Sequence, residues 1–131
     1  MPSDKNDFHS AEALGPAYER PQAVTDVTIE VYLRPLVSTP QRVRDLERVI
    51  LRLDNGQTVR VESKLKDLQA PTLIVWGTGD IFLDIRWSYW LADTIPGATR
   101  RVEFEGARML FPEERPEELS DELRAHWNNA L

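Results

Sequence analysis

The 131-residue chain contains no cysteine. Disulfide bonds and thiolate metal sites are therefore excluded, and the composition fits a reducing compartment, for which we expect the cytoplasm. Histidine is almost as scarce, since the only two, His9 and His126, stand near opposite ends of the sequence. That separation argues against a histidine-rich metal site. The sequence thus predicts no metal and no other cofactor.

Long apolar runs and an excess of positive charge are also missing. No stretch approaches the roughly 18 apolar residues of a membrane-spanning helix, and the N-terminus MPSDKNDFHS lacks the apolar core of a secretory signal. Sixteen basic residues stand against 22 acidic ones, giving a net charge of −6. A nucleic-acid partner would need a basic face. We therefore expect neither a nucleic-acid nor a membrane partner, and the length favours one domain.

The first half of the chain is predicted to be an irregular polar segment followed by helices. Residues 1–24 contain three prolines and a glycine, typical of irregular structure with one helical turn around Ser10–Leu14. Residues 25–68 are predicted to be helical. A first helix starts at Thr25 or Asp26 and is ended or kinked by Pro35.

A second helix is predicted to start at Thr39, because Pro40 loses no needed hydrogen bond at the first helical position. An apolar stripe at spacings of three and four supports it, formed by Val43, Leu46, Ile50 and Leu53. The turn Asp54-Asn55-Gly56 should end this helix. Residues 57–68 alternate as a strand would in TVRVES but also place apolar residues on one side of a helix, and we prefer the helix.

Residues 69–131 alternate between strand and helix. Thr72–Trp76 is apolar throughout, which is typical of a parallel strand buried on both faces. A helix over Asp84–Ile95 and a strand over Arg100–Phe104 follow, and Pro116 opens a final helix after a loop. This order predicts a βαβα unit with a right-handed crossover. We expect Trp87 and Trp90 to pack against the sheet, with binding of a protein partner as the alternative.

Asp80 follows the apolar strand, three residues after Gly77. Ligands of open parallel sheets gather at the carboxyl ends of the strands, where a carboxylate can orient a histidine or a ligand. An aspartate after Gly-Thr-Gly can instead bind the amides of its own turn. Spacing alone favours the turn.

Three stretches, LKDLQAPTLIVWGTGD, WLADTIPGATRRVEFEGA and PEERPEELSDELRAHW, together resemble the C-terminal portion of an α/β-hydrolase. The resemblance is to the branch with haloalkane dehalogenases and epoxide hydrolases. It implies an α/β fold in which residues 69–131 are the C-terminal βαβα piece of the hydrolase sheet. Residues 25–68 would be a cap-like helical segment, since AYERPQAVTD to about Leu53 is similar to the end of that family's cap region.

By position, the resemblance implies that Asp80 is the acid of the catalytic triad, which holds the imidazole in its tautomer. The triad histidine is missing, because aligning GARML with the family's Gly-Ala-Gly-His loop places Met109 at that position. A thioether cannot accept and return a proton at neutral pH. No G-x-S-x-G or G-x-D-x-G nucleophile elbow occurs either, and neither His9 nor His126 is an obvious substitute.

The sequence therefore predicts an α/β-hydrolase-like fragment, a short chain or a truncated gene product that is inactive alone. A small-molecule substrate, hydrolysed at an ester, epoxide or carbon–halogen bond, is implied only for the intact family. The alternatives are a non-catalytic protein-interaction module and one half of a split hydrolase. A small sheet would leave an edge of the apolar strand unpaired. We expect self-association, a partner chain that completes the sheet, or marginal stability.

Overall fold

The computed structural model describes residues 15–23 and 25–130. These residues fall into two compact units, one formed by 15–21 with 63–130 and the other by Gln22–Glu62. The helical turn predicted around Ser10–Leu14 lies outside the described residues. The three-part division at residues 24 and 68 follows from the hydrolase resemblance and stays a prediction.

The unit Gln22–Glu62 consists of short helices. Thr39 begins the longest of them as predicted, since its side chain accepts a hydrogen bond from the Arg42 amide. The first helix ends at Tyr32, just before Pro35, and Pro35 stands in the first turn of the next helix. The helices are α1 (Asp26–Tyr32), α2 (Arg34–Val37), α3 (Pro40–Leu51) and α4 (Asn55–Arg60), and α5 (Glu62–Leu65) follows at the boundary.

Two details of the helical prediction need correction. Helix α3 ends at Leu51, before the Asp54-Asn55-Gly56 turn, and the Asp54 carboxylate instead caps α4 by accepting the Gly56 amide at 2.8 Å. Residues 57–68 are largely helical, as preferred, but Val61 separates α4 from α5. Leu53 lies beyond the end of α3 and is 75% exposed, and Ile50 inside the helix is 55% exposed, so the predicted apolar stripe is not buried.

Two parallel strands form the sheet of the other unit, β1 (Thr72–Gly77) and β2 (Ala98–Phe104). Their parallel pairing confirms the prediction, and β2 is two residues longer than expected. The connecting helix α6 (Arg86–Thr94) is shorter than expected, although the Asp84 carboxylate accepts the Arg86 amide at 2.8 Å. The hand of the crossover stays a prediction.

Helices cover both faces of this sheet. On one face Val75 and Val102, which are partners in the register, pack with Phe104 against Phe111 and Leu119. The last two belong to α7 (Phe111–Glu114) and α8 (Pro116–Ala130). Helix α8 begins at Pro116 as predicted, whereas α7 lies in a segment predicted to be loop. Parallel strands between helices establish the α/β class.

Helix α6 covers the second face, where Ser88 and Tyr89 both contact Arg101 of β2. Ser88 is fully buried, and Arg101 of β2 donates to its hydroxyl at 3.3 Å. Trp87 and Trp90 are 45% and 36% exposed, so the prediction that they pack against the sheet was wrong. Ser88 lies three residues after Ile85, and this phase of the helix turns both tryptophans away from the sheet. In the described residues, the helices are too short or too polar to cross a bilayer.

Candidate functional site

Two loops meet at the carboxyl ends of the parallel strands. We call residues 77–83, which begin at the last residue of β1, and residues 105–110, which follow β2, the carboxyl rim. The Thr78 amide donates to the Phe104 carbonyl at 3.0 Å, and the Gly79 amide donates to the Ala107 carbonyl at 2.9 Å. The Gly106 amide completes the connection by donating to the Thr78 hydroxyl at 2.8 Å. Main-chain hydrogen bonds thus fix one loop to the other.

Asp80 lies in the first loop of the carboxyl rim, and its two carboxylate oxygens differ. Oδ1 accepts hydrogen bonds from the amides of Phe82 and Leu83, at 2.8 and 3.0 Å. This is the turn arrangement that the Gly-Thr-Gly-Asp spacing favours. Oδ2 makes no hydrogen bond to any residue that the structure describes. The aspartate is therefore fixed in orientation through one oxygen while the other stays available.

Met109 lies in the second loop of the carboxyl rim, as predicted from the two strand ends. Its side chain is 46% exposed and supplies no group that titrates. The neighbouring Arg108 points elsewhere, since its guanidinium donates to the Pro16 carbonyl at 3.1 Å. The position where the family resemblance expects a general base thus offers a thioether beside the aspartate loop.

His126 is not brought to this rim. It is half-buried, not at the surface as predicted, and lines a cavity of about 260 Å³ with Pro71, Thr99, Arg100 and Asn129. Pro71 precedes β1 and Thr99 lies near the start of β2, so this cavity is at the amino ends of the strands. The sheet separates His126 from Asp80. His9 lies outside the described residues, and the described part holds no metal-binding group of histidine and carboxylates.

A segment that packs against the rim was not predicted from the sequence. Residues 15–20, here called the strap, were predicted to be irregular, yet Ala17 and Tyr18 are buried at 3% and 5% exposure. The Leu110 amide donates to the Ala17 carbonyl at 2.9 Å, which ties the strap to the second rim loop. The signal in the sequence was Tyr18, a large aromatic residue in a polar segment.

Charged side chains strengthen this attachment. The Glu114 carboxylate accepts the backbone amides of Glu19 and Arg20, each at 2.7 Å. The Arg115 guanidinium donates to both oxygens of the Glu19 carboxylate, at 2.7 to 3.0 Å. These hydrogen bonds from Arg115 to Glu19 raise the pKa of the guanidinium, which stays charged. The strap therefore belongs structurally to the rim.

Comparison of the chain with protein-family models, with curated proteins and with solved structures found no match. The described residues form an α/β unit with a parallel strand pair, and this unit carries a carboxylate at its carboxyl rim. Chemically, that rim can orient a positively charged or hydrogen-bonding group through Oδ2 of Asp80.

Proposed function

We propose that the chain is an α/β-hydrolase-like fragment that keeps the acid position of a catalytic triad and lacks the nucleophile and base. The observation that carries the proposal is the geometry of Asp80. Its Oδ1 is held by two turn amides, and its Oδ2 is free of hydrogen bonds among the described residues. The loop that holds Asp80 is hydrogen-bonded to the loop that holds Met109. Family-type hydrolysis of an ester, epoxide or carbon–halogen bond would need both missing groups from another polypeptide.

Asp80 would have the role of a triad acid. Such a carboxylate holds the imidazole in one tautomer and stabilises the imidazolium that forms, without itself taking the proton. Two amide hydrogen bonds to Oδ1 suit that role, because they fix the direction of the second oxygen before any base arrives. With Met109 at the base position, the acid has no imidazole to orient.

We expect the purified chain to hydrolyse activated esters, epoxides and haloalkanes no faster than buffer. A triad without two members retains only what an oxyanion hole and substrate binding supply, and the sequence has no elbow to build that hole. Initial rates should be compared with those of Asp80→Asn. Turnover abolished by this substitution would reveal a nucleophile that the proposal denies. Turnover that survives it would remove Asp80 from the chemistry.

Met109→His tests the acid position directly. If Oδ2 of Asp80 faces the Met109 position, the carboxylate should raise the pKa of the introduced imidazole above its usual value of about 6.5. Titration followed by NMR would give this pKa, with the signals of His9 and His126 as internal references. The matched control is Met109→His combined with Asp80→Asn, since asparagine keeps an oxygen for the turn amides and removes the charge. An equal imidazole pKa in the two variants would leave Asp80 as a turn residue only.

A second candidate function, a non-catalytic protein-interaction module, has its own supporting observation. Trp87 and Trp90 expose much of their surface, and their rings meet edge to face with centroids 6.1 Å apart. Aromatic residues are enriched at the centres of protein interfaces. The interaction-module candidate is favoured if Asp80 does not raise the pKa of the introduced imidazole. Asp80 would then give no sign of a triad role.

A further inference from the structure

The hydrogen-bonding groups of β1 alternate between its two edges. The Thr72 amide donates to the Gly97 carbonyl at 2.7 Å, and the Thr78 amide donates to the Phe104 carbonyl at 3.0 Å. Since alternate residues of a strand direct their main-chain groups to the same side, the even-numbered residues face β2. The main-chain groups of Leu73, Val75 and Gly77 therefore face the opposite edge.

That opposite edge has no partner strand within the part of the chain that the structure describes. The sheet there consists of β1 and β2 alone. The Gly77 carbonyl accepts a long bond of 3.3 Å from the Asp80 amide, and the amides of Leu73, Val75 and Gly77 remain unpaired among the described residues. Natural edge strands are commonly protected by charge or proline. The strand TLIVWG contains neither.

The spacing of the open groups makes this edge complementary to itself. Leu73 and Gly77 lie symmetrically on either side of Val75. In an antiparallel copy turned about a twofold axis at Val75, the two Val75 residues would exchange hydrogen bonds with each other. Leu73 of each copy would lie opposite Gly77 of the other, where Gly77 is buried and its carbonyl already accepts the Asp80 amide. The two hydrogen bonds between the Val75 residues therefore carry the pairing.

We propose that a second copy of this chain pairs with the open edge of β1, antiparallel and centred on Val75. The resulting order β2-β1-β1-β2 gives four strands, within the usual size of sheets, whereas an isolated pair of strands is marginal. The uncharged strand also lets two chains of net charge −6 meet without like charges opposite each other. The pairing follows from the edge itself and does not depend on the proposed hydrolase relationship.

Sedimentation over a range of concentrations, on wild type and on two variants at one position, tests the pairing. Leu73→Pro removes an amide that makes no bond to β2, and its ring blocks a neighbouring strand while leaving the β1–β2 ladder intact. Leu73→Ala shortens the side chain and keeps the amide. We expect a reversible wild-type dimer, weakened about tenfold or more by Leu73→Pro and much less by Leu73→Ala.

Three results would overturn the pairing: a wild-type chain that stays monomeric, a dimer insensitive to Leu73→Pro, and a dimer weakened equally by both variants. In the first case a strand from another protein remains the candidate for this edge. In the second and third cases a surface other than the main-chain edge holds the copies together. Circular dichroism of each variant establishes whether it is folded before its assembly is compared.

Crosslinking provides an independent measurement that does not use proline. Because the chain has no cysteine, Val75→Cys introduces a single thiol. A hydrogen-bonded antiparallel pair would place the two Cα atoms about 5.5 Å apart, within the disulfide range of about 4.4–6.8 Å. Leu73→Cys is the control on the same strand and edge, since its two copies would lie about 14 Å apart along the strands. Crosslinking of Val75→Cys alone supports the register, and equal crosslinking of both refutes it.

Discussion

Replacing Gly77 with alanine is expected to destabilise the β1–β2 unit by about 3 kcal/mol or more, at the upper end of overpacking costs. A Cβ atom at this position would lie 2.2 Å from the Ala107 carbonyl oxygen and 2.6 Å from the Ala107 carbonyl carbon. Both are main-chain atoms, and the same carbonyl accepts the Gly79 amide at 2.9 Å. The second rim loop would have to move as a whole, with loss of the bonds that join the two loops.

Gly106→Ala is the matched control in the same rim. Gly106 has a φ of +72°, and an added Cβ would meet nothing closer than a Glu19 carboxylate oxygen at 3.8 Å. Its expected cost is therefore backbone strain alone, about 1 kcal/mol. Urea unfolding of both variants gives the comparison. Equal losses of unfolding free energy in the two variants would mean that the two loops separate readily. The close approach at Gly77 would then contribute little to stability.

The second large effect is expected from Glu114→Ala, which should lower the free energy of unfolding by about 2–3 kcal/mol, since hydrogen bonds to charged groups contribute about 1.5–3 kcal/mol each. The Glu114 side chain is only 3% exposed, and its oxygens accept the amides of Glu19 and Arg20 at 2.7 Å. Alanine would leave the buried part of this pocket empty and the Glu19 amide without an acceptor. The estimate stays below the sum of two bonds because the Arg20 amide is exposed and can bind water.

Glu114→Gln is the conservative comparison, because it keeps the shape and one acceptor oxygen while removing the charge. We expect it to fall between wild type and Glu114→Ala in urea unfolding. Hydrogen exchange should report the loss locally, with the amides of Glu19 and Arg20 exchanging faster in the alanine variant. Unchanged exchange at those two amides would show that Glu114 does not hold the strap in solution.

Local signals in the sequence predicted the strands and the longer helices well. The apolar run at Thr72–Trp76, typical of a strand buried between helices, and the alternation at Arg100–Phe104, typical of an edge strand, led to the correct parallel pair. Thr39-Pro40 and Pro116 correctly marked helix starts, since proline at the first helical position costs no hydrogen bond. The position of Asp80 at a strand end followed from the same pattern.

Features set by distant contacts could not be predicted. The strap depends on Glu114 and Arg115, residues about a hundred positions away, and its own composition indicates only irregular structure. The exposure of Trp87 depends on which face of α6 packs against the sheet. The fully buried Ser88 marks that face. The bulge at the start of β2, where Thr99 is skipped in the register, likewise has no signal in the sequence.

The strap also constrains when the protein can finish folding during its synthesis. Glu19 and Arg115 are separated by 96 positions in the chain. At typical translation rates of about 5–20 residues per second, the strap waits roughly 5–20 s for its binding site to be made. Ala17 and Tyr18 cannot reach their buried positions against the second rim loop before that loop is made. Closure of the unit that contains the strap is therefore a late, long-range event.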